Sequence, residues 1–147
     1  MIIASQTVYN NLTPQLRALT IVLGYGASTN VLGLNVQAVH SYDFSNHPLN
    51  SGNGYIVTIG DKRIYISGDT TDVPEIRALT NIDVAFLCMN PTFTMSVNQA
   101  TNVIRSMRPK IVYPYHYQDA GQTTNAAAFK QRLGTDLGIE VRLRKWY

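Results

Sequence analysis

The sequence predicts a layered α/β domain. Three observations carry this reading: strand and helix patterns alternate through the second half, one strand candidate is apolar throughout, and two β-rich runs meet at a tight turn. Ile2 to Ala4 reads as a short strand, Ser5 caps a helix reaching about Leu12, and Thr13-Pro14 breaks it. Leu19 to Leu23 is a second strand, with Gly24 and Gly26 marking a turn. Val31 to Val39 is strand-like, with a slip at Gly33 that reads as a bulge. Ser41 to Asn53, rich in Asn, Ser, Gly and Pro, is a loop. Tyr55 to Ile59 and Arg63 to Ser67 flank Gly60-Asp61 as a hairpin. Pro74 opens a helix to about Leu79, capped by Asp72 or Thr71. Val84 to Met89 is the uniformly apolar run, as a strand buried on both faces would be. Val97, Ala100, Val103, Ile104 and Met107 repeat at helical spacing within Ser96 to Met107. Lys110 to Tyr115 is a strand, Thr124 to Leu133 a helix, and Ile139 to Leu143 a last strand.

Composition bounds what such a domain can be. At 147 residues and 45% hydrophobic the chain is long enough to bury one core, so a single soluble domain is expected. Cys88, the one cysteine, excludes an internal disulfide, and there is no apolar run of about 18 residues to span a membrane. Met1 to Ala4 is too short and uncharged for a secretory signal, so a cytoplasmic location is expected. The net charge of +3 comes from scattered residues, and only Arg142, Arg144 and Lys145 cluster. Their alternation with Val141, Leu143 and Trp146 reads as the polar side of an edge strand, so neither nucleic acid nor a membrane is an expected partner.

Chemistry-bearing side chains collect at element ends, where a rigid strand fixes direction and the following loop leaves the group accessible. Asp69 follows Ser67-Gly68 directly after the hairpin, where a sharp turn would leave its carboxylate on the rim. It could instead cap the helix near Pro74 or hold the turn through its own backbone. His116 ends a strand, with Tyr113, Tyr115 and Tyr117 expected on the opposite face. Pro114 makes a regular central-strand position there unexpected. His40 and His47 lie at or in the Ser- and Asn-rich loop, a setting that commonly holds an unremarkable histidine. Gly24-Tyr25-Gly26 lacks the third glycine of a dinucleotide loop, no Gly-x-Ser-x-Gly elbow exists, and Cys88 reads as core.

In order, Gly52-Asn53-Gly54-Tyr55-Ile56-Val57, Arg63-Ile64-Tyr65-Ile66-Ser67-Gly68-Asp69-Thr70, Asn90-Pro91-Thr92-Phe93-Thr94-Met95 and Tyr113-Pro114-Tyr115-His116-Tyr117 resemble the C-terminal half of the metallo-β-lactamase-fold metal-dependent hydrolases. Ala38-Val39, Tyr42 and His47-Pro48 resemble the segment before it, so the likeness covers nearly the whole chain. It implies part of a four-layer αβ/βα sandwich, two mixed sheets facing each other between outer helices. It also implies two divalent ions, zinc foremost with manganese or iron as alternatives, which activate water and polarise the scissile group. Within the resemblance Asp69 matches the carboxylate bridging the two ions and His116 the last histidine, on the second ion. The histidine on the first ion comes from His47, in a His-Pro pattern, or His40, in a His-Ser pattern, with His47 preferred.

The family's His-x-His-x-Asp-His cluster is not found in this sequence, whose three histidines are His40, His47 and His116. Residues 1–147 thus read as one truncated metallo-β-lactamase-like domain, with metal ligands but no assignable catalytic residue. A catalytic zinc ordinarily takes three protein ligands, so weak metal binding and no efficient hydrolysis by the chain alone are expected. A non-catalytic binding module on the same scaffold is the alternative. The substrate is a small molecule of unassigned class. A second copy, or a complementing chain, is expected over the sheet face that the missing half would cover.

Overall fold

The computed structural model describes residues 1–119, 122–123, 126–135, 137–144 and 146. In chain order the elements are β1 (Ile2–Ala4), α1 (Gln6–Asn11), α2 (Pro14–Arg17), β2 (Thr20–Val22), β3 (Ser28–Val31), β4 (Leu34–Ser41), β5 (Gly52–Ile59) and β6 (Lys62–Ile66). They continue with α3 (Pro74–Arg77), β7 (Val84–Cys88), α4 (Val97–Met107), β8 (Ile111–Tyr115), β9 (Gln118–Asp119), β10 (Gln122–Thr123), α5 (Ala126–Leu133) and β11 (Glu140–Val141).

Seven strands form one mixed sheet in the order β11-β8-β7-β6-β5-β4-β3. It is antiparallel from β3 to β6 and parallel from β6 through β7 and β8 to β11. The predicted α/β class is therefore what the chain adopts, and the parallel half explains the apolar run Val84 to Met89. Register puts Ile56, Tyr65, Ala85, Val112 and Val141 in one row across the sheet, all buried under the helices. Against them α4 turns Ala100, Val103, Ile104 and Met107. Its start is fixed by a reciprocal box in which the Ser96 hydroxyl accepts from the Gln99 amide and the Gln99 side chain accepts from the Ser96 amide. Full burial of a side chain the size of Val103, Ile104 or Met107 contributes about 1.5–3 kcal/mol.

The other face carries the row Tyr55, Ile66, Phe86 and Tyr113 and is only partly covered. β1 and β2 form a separate parallel pair. The pair is held to the β5 part of the sheet by the Tyr55 hydroxyl donating to Ile3 O at 3.1 Å and Asn53 Nδ2 donating to Leu23 O at 2.8 Å. Beyond it Ile66, Phe86, Tyr115 and Trp146 line an open apolar groove, with Ile66 39% and Trp146 43% exposed.

Four expectations are corrected. Val31 to Val39 is a hairpin rather than one bulged strand: Leu32 and Gly33 both take positive φ, 51° and 80°, as a two-residue primed turn requires, and Val31 pairs with Leu34. Thr13-Pro14 does not simply end a helix but starts α2, because Thr13 caps it and Pro14 occupies its first turn. The cap of α3 is Val73, with no side-chain bond, since Asp72 is taken up by Arg77 at 2.5 Å and neither it nor Thr71 caps the helix. Pro114 lies within β8 opposite Leu87; β11 pairs only Ile111 and Val112, leaving the edge beside Pro114 without a ladder bond to lose. Of the helix expected from Thr124, residues 126–133 are helical, while Thr124 and Asn125, like Lys145 of the basic cluster, fall outside the described residues. Arg142 folds back onto Glu140 and the Tyr113 hydroxyl. No helix among the described residues is long and apolar enough to cross a membrane.

Candidate metal centre

Asp69 stands just past β6, where the sheet changes from antiparallel to parallel. Its direction follows from Gly68, which has φ +62° and approaches its neighbours so closely that a Cβ would lie 2.7 Å from Asn53 O and from Ser41 Oγ. Around this turn the hydroxyls of Ser67 and Tyr115 donate to Gly68 O at 2.7 and 3.0 Å, and Ser41 Oγ donates to Asp69 O at 3.1 Å. Thr70, fully buried, accepts from Tyr42 N and donates to Tyr42 O. These bonds occupy the backbone on both sides of Asp69 and leave its carboxylate on the rim. It caps no helix, so the alternative reading of this residue as a cap is not what the structure holds.

The carboxylate faces a histidine with each oxygen. Oδ1 lies 3.3 Å from His116 Nδ1 and Oδ2 lies 3.6 Å from His47 Nε2. The alternation carried by Tyr113 and Tyr115 stops at His116, which takes a left-handed φ of 56° as the chain leaves the sheet. His40 is elsewhere: its ring packs 4.2 Å from that of Tyr25 and 6.1 Å from that of Tyr42.

A fourth residue went unread in the sequence. Asp43 is buried, its Oδ1 accepts from the amides of Ser45 and Asn46 at 2.5 and 2.6 Å, and its Oδ2 lies 2.5 Å from His47 Nδ1. Burial pushes the Asp43 carboxyl up, but the Asn46 and Ser45 amides and the His47 ring outweigh it and hold the group below the ordinary carboxylate range. Nδ1–H donated to a carboxylate is the arrangement that orients metal-binding imidazoles, and it turns Nε2 of His47 toward Asp69. The signal was the spacing Asp43-x-x-x-His47 with Ser45-Asn46 between, an Asx-type turn.

These donors suit divalent ions. Two ligands each about 2.0–2.1 Å from a tetrahedral ion sit roughly 3.4 Å apart, and the two nitrogen–oxygen separations, 3.3 and 3.6 Å, bracket that value. The three side chains run in a row with Asp69 in the middle, and among the described residues no three His, Cys, Asp or Glu side chains converge on one point. Each position thus has one imidazole and one carboxylate oxygen. Cys88, buried with its thiol pushed up to about 11 by desolvation, adds no ligand.

Comparison with known proteins places this geometry in context. Residues 1–116 match the family described as a beta-lactamase superfamily domain. The chain is 42% identical over 89 residues to a UPF0173 metal-dependent hydrolase of Nanoarchaeum equitans, covering 56% of this chain and 41% of that protein. It is 33% identical over 104 residues to one of Pyrococcus horikoshii, covering 67% and 46%. Among solved structures it resembles a protein described as a metal-dependent hydrolase from Parabacteroides distasonis, with TM-score 0.85 and 38% identity over 97% of this chain and 63% of that one. Its fold also matches the metallo hydrolase Igni18 of Ignicoccus hospitalis, with TM-score 0.80 and 20% identity over 97% and 64%. The chain therefore spans about half the length of the curated relatives it matches and under two thirds of these two structures.

Proposed function

Because the chain belongs to the beta-lactamase superfamily, whose metal-dependent hydrolases imply a divalent metal, we propose that Asp69, His47 and His116 are one side of a two-zinc hydrolytic centre. The observation that supports this is the Asp69 carboxylate, which turns one oxygen to each imidazole. In this reading Asp69 would offer one oxygen to each ion, His47 would hold the first and His116 the second, and His40 would hold neither. Asp43 fixes the His47 ring, and the hydroxyls of Ser41, Ser67 and Tyr115 fix the turn that aims Asp69. The ions, when bound, lower the pKa of a water and polarise the scissile group. One imidazole per ion is short of the three protein ligands a catalytic zinc ordinarily takes, so the chain alone binds zinc weakly and does not turn over substrate. The same shortage of donors is what favours the second reading, a binding module that uses the scaffold without catalysis.

Calorimetric titration of the chain with zinc tests the assignment. Binding in the micromolar range or weaker is expected, abolished in Asp69→Ala, reduced at least tenfold in His47→Ala, and unchanged in His40→Ala. Zinc uptake that survives Asp69→Ala, or is lost in His40→Ala, overturns it.

A further inference from the structure

The register that buries Ile56, Tyr65, Ala85 and Val112 under the helices turns two further rows to the other face. One is Tyr55, Ile66, Phe86 and Tyr113, and beside it run Val57, Ile64, Val84 and Ile111. None of these eight side chains is charged and none is buried. A strand with one face in water carries polar residues there, whereas a parallel strand is apolar on both faces because both are covered. The parallel strands β7 and β8 are apolar on both faces with only one of them covered. Over this face lies a groove of about 340 Å³ lined by Ile66, Phe86, Tyr115 and Trp146. Trp146 is pinned at its edge by its indole N–H, which donates to Pro114 O at 2.9 Å, and Phe86 is held by its stacking on Tyr113.

Charge identifies the occupant. The ions that border the rows are paired at home: Lys62, at the turn end of β6, with Asp61 at 2.8 Å, and Glu140 with Arg142 at 2.7 Å, where the rows meet β11. Arg144 lies over the Tyr113 ring at that same edge. A partner presenting a charge to the middle of the face would lose its hydration with no opposite charge to compensate. A two-fold axis through the face sets each side chain near it against its own copy, which an uncharged surface tolerates and a charged one does not. Two copies also share one sheet twist, so they can stack with strands within about 30° of each other and interdigitate.

We infer that this face pairs with the same face of a second copy of the chain, about a two-fold axis that passes close to Ile66. Burial of exposed apolar surface drives the pairing. Ten side chains per copy, the two rows with Tyr115 and Trp146, fall short of the roughly 20–30 residues a side of a standard interface. The dimer is therefore weak and exchanges with a monomer whose face is open. The pairing is independent of the metal-centre reading.

Sedimentation equilibrium of the metal-free chain, from about 5 to 500 µM, tests this. Monomer is expected at the low end and a monomer–dimer equilibrium at the high end. Ile66→Glu and Ile66→Lys should each weaken dimerisation at least about tenfold, because each copy then meets its own charge, and an equimolar mixture of the two should restore it. Trp146→Ala, outside the helix-covered core, should weaken it about threefold to tenfold, which keeps the test decisive if a charge at position 66 unfolds the chain. Leu32→Glu, at the 91%-exposed tip of the β3–β4 turn and off this face, should leave it unchanged. A single monomeric species at the highest concentration overturns the inference and leaves the face to a different chain. Growth beyond a dimer, dimerisation unaltered in the Trp146→Ala variant, a mixture of folded Glu and Lys variants that stays monomeric, or an equal loss in Leu32→Glu also overturns it.

Discussion

The two faces of the seven-stranded sheet are built from the same kinds of residue and treated oppositely. Under the helices, Tyr65, Ala85, Leu87 and Val112 are wholly buried. On the reverse, Phe86 stacks on Tyr113 at 5.1 Å, yet Ile59, Ile66 and Trp146 remain substantially exposed. The difference teaches where stability and where chemistry reside. The helix-covered face is a finished core. The open face joins the candidate centre directly, because Tyr115 lines its groove and also donates to Gly68 O in the turn that aims Asp69.

That contrast can be broken by substitution. Leu87→Ala, under the helices, should cost about 2–5 kcal/mol in urea unfolding, while Ile66→Ala on the open face should cost under about 1.5 kcal/mol. Equal losses would mean the two faces are equally buried in solution. Next in size is Gly68→Ala, which combines a left-handed φ with a Cβ 2.7 Å from Asn53 O; about 2–3 kcal/mol of stability should go, together with zinc binding. Asp43→Asn should keep the fold but weaken zinc about 10- to 100-fold, measured by competition with a chromophoric chelator. An unchanged affinity would remove Asp43 from the centre.

The smallest effect is a pH dependence. Because the Asp43 carboxyl titrates below its unfolded value, the stability it contributes is present above the usual carboxylate range and is withdrawn as pH falls through the lowered value. Asp43→Asn should therefore unfold at lower urea than the parent at neutral pH, with the gap closing in strong acid. A gap that stays constant down to the acid limit would show that the amides of Ser45 and Asn46 do not prefer the ionised group.

Much of this was legible in the sequence, for reasons that differ by region. The β5–β6 hairpin, β7 and α4 announce themselves because local pattern and tertiary environment agree: turn residues at Gly60-Asp61, an unbroken apolar strand, and a capped amphipathic helix. Leu32-Gly33 misled because Leu is an unusual residue at positive φ, so the turn was hidden in an apolar run. Asp69 and His116 were legible through the order of motifs, not through spacing, since 47 residues separate them and only the adjacency of strand ends brings them together. Asp43 went unread because only half of its role, the Asx-type turn with Ser45-Asn46, is written locally, while its meeting with the His47 ring depends on the folded loop. His47 was preferred over His40 on the His47-Pro48 pattern, and the loop's path brings its ring to Asp69.

The left-handed backbone at His116 bears on how this position can be probed. Histidine, asparagine and aspartate visit that region more readily than most side chains, and glycine enters it without penalty. Replacing the imidazole with alanine would therefore remove a nitrogen donor and load the strand terminus with torsional strain in one step. A His116→Gly exchange deletes the donor while relaxing the chain, so the pair of variants separates what the ring supplies from what the peptide tolerates.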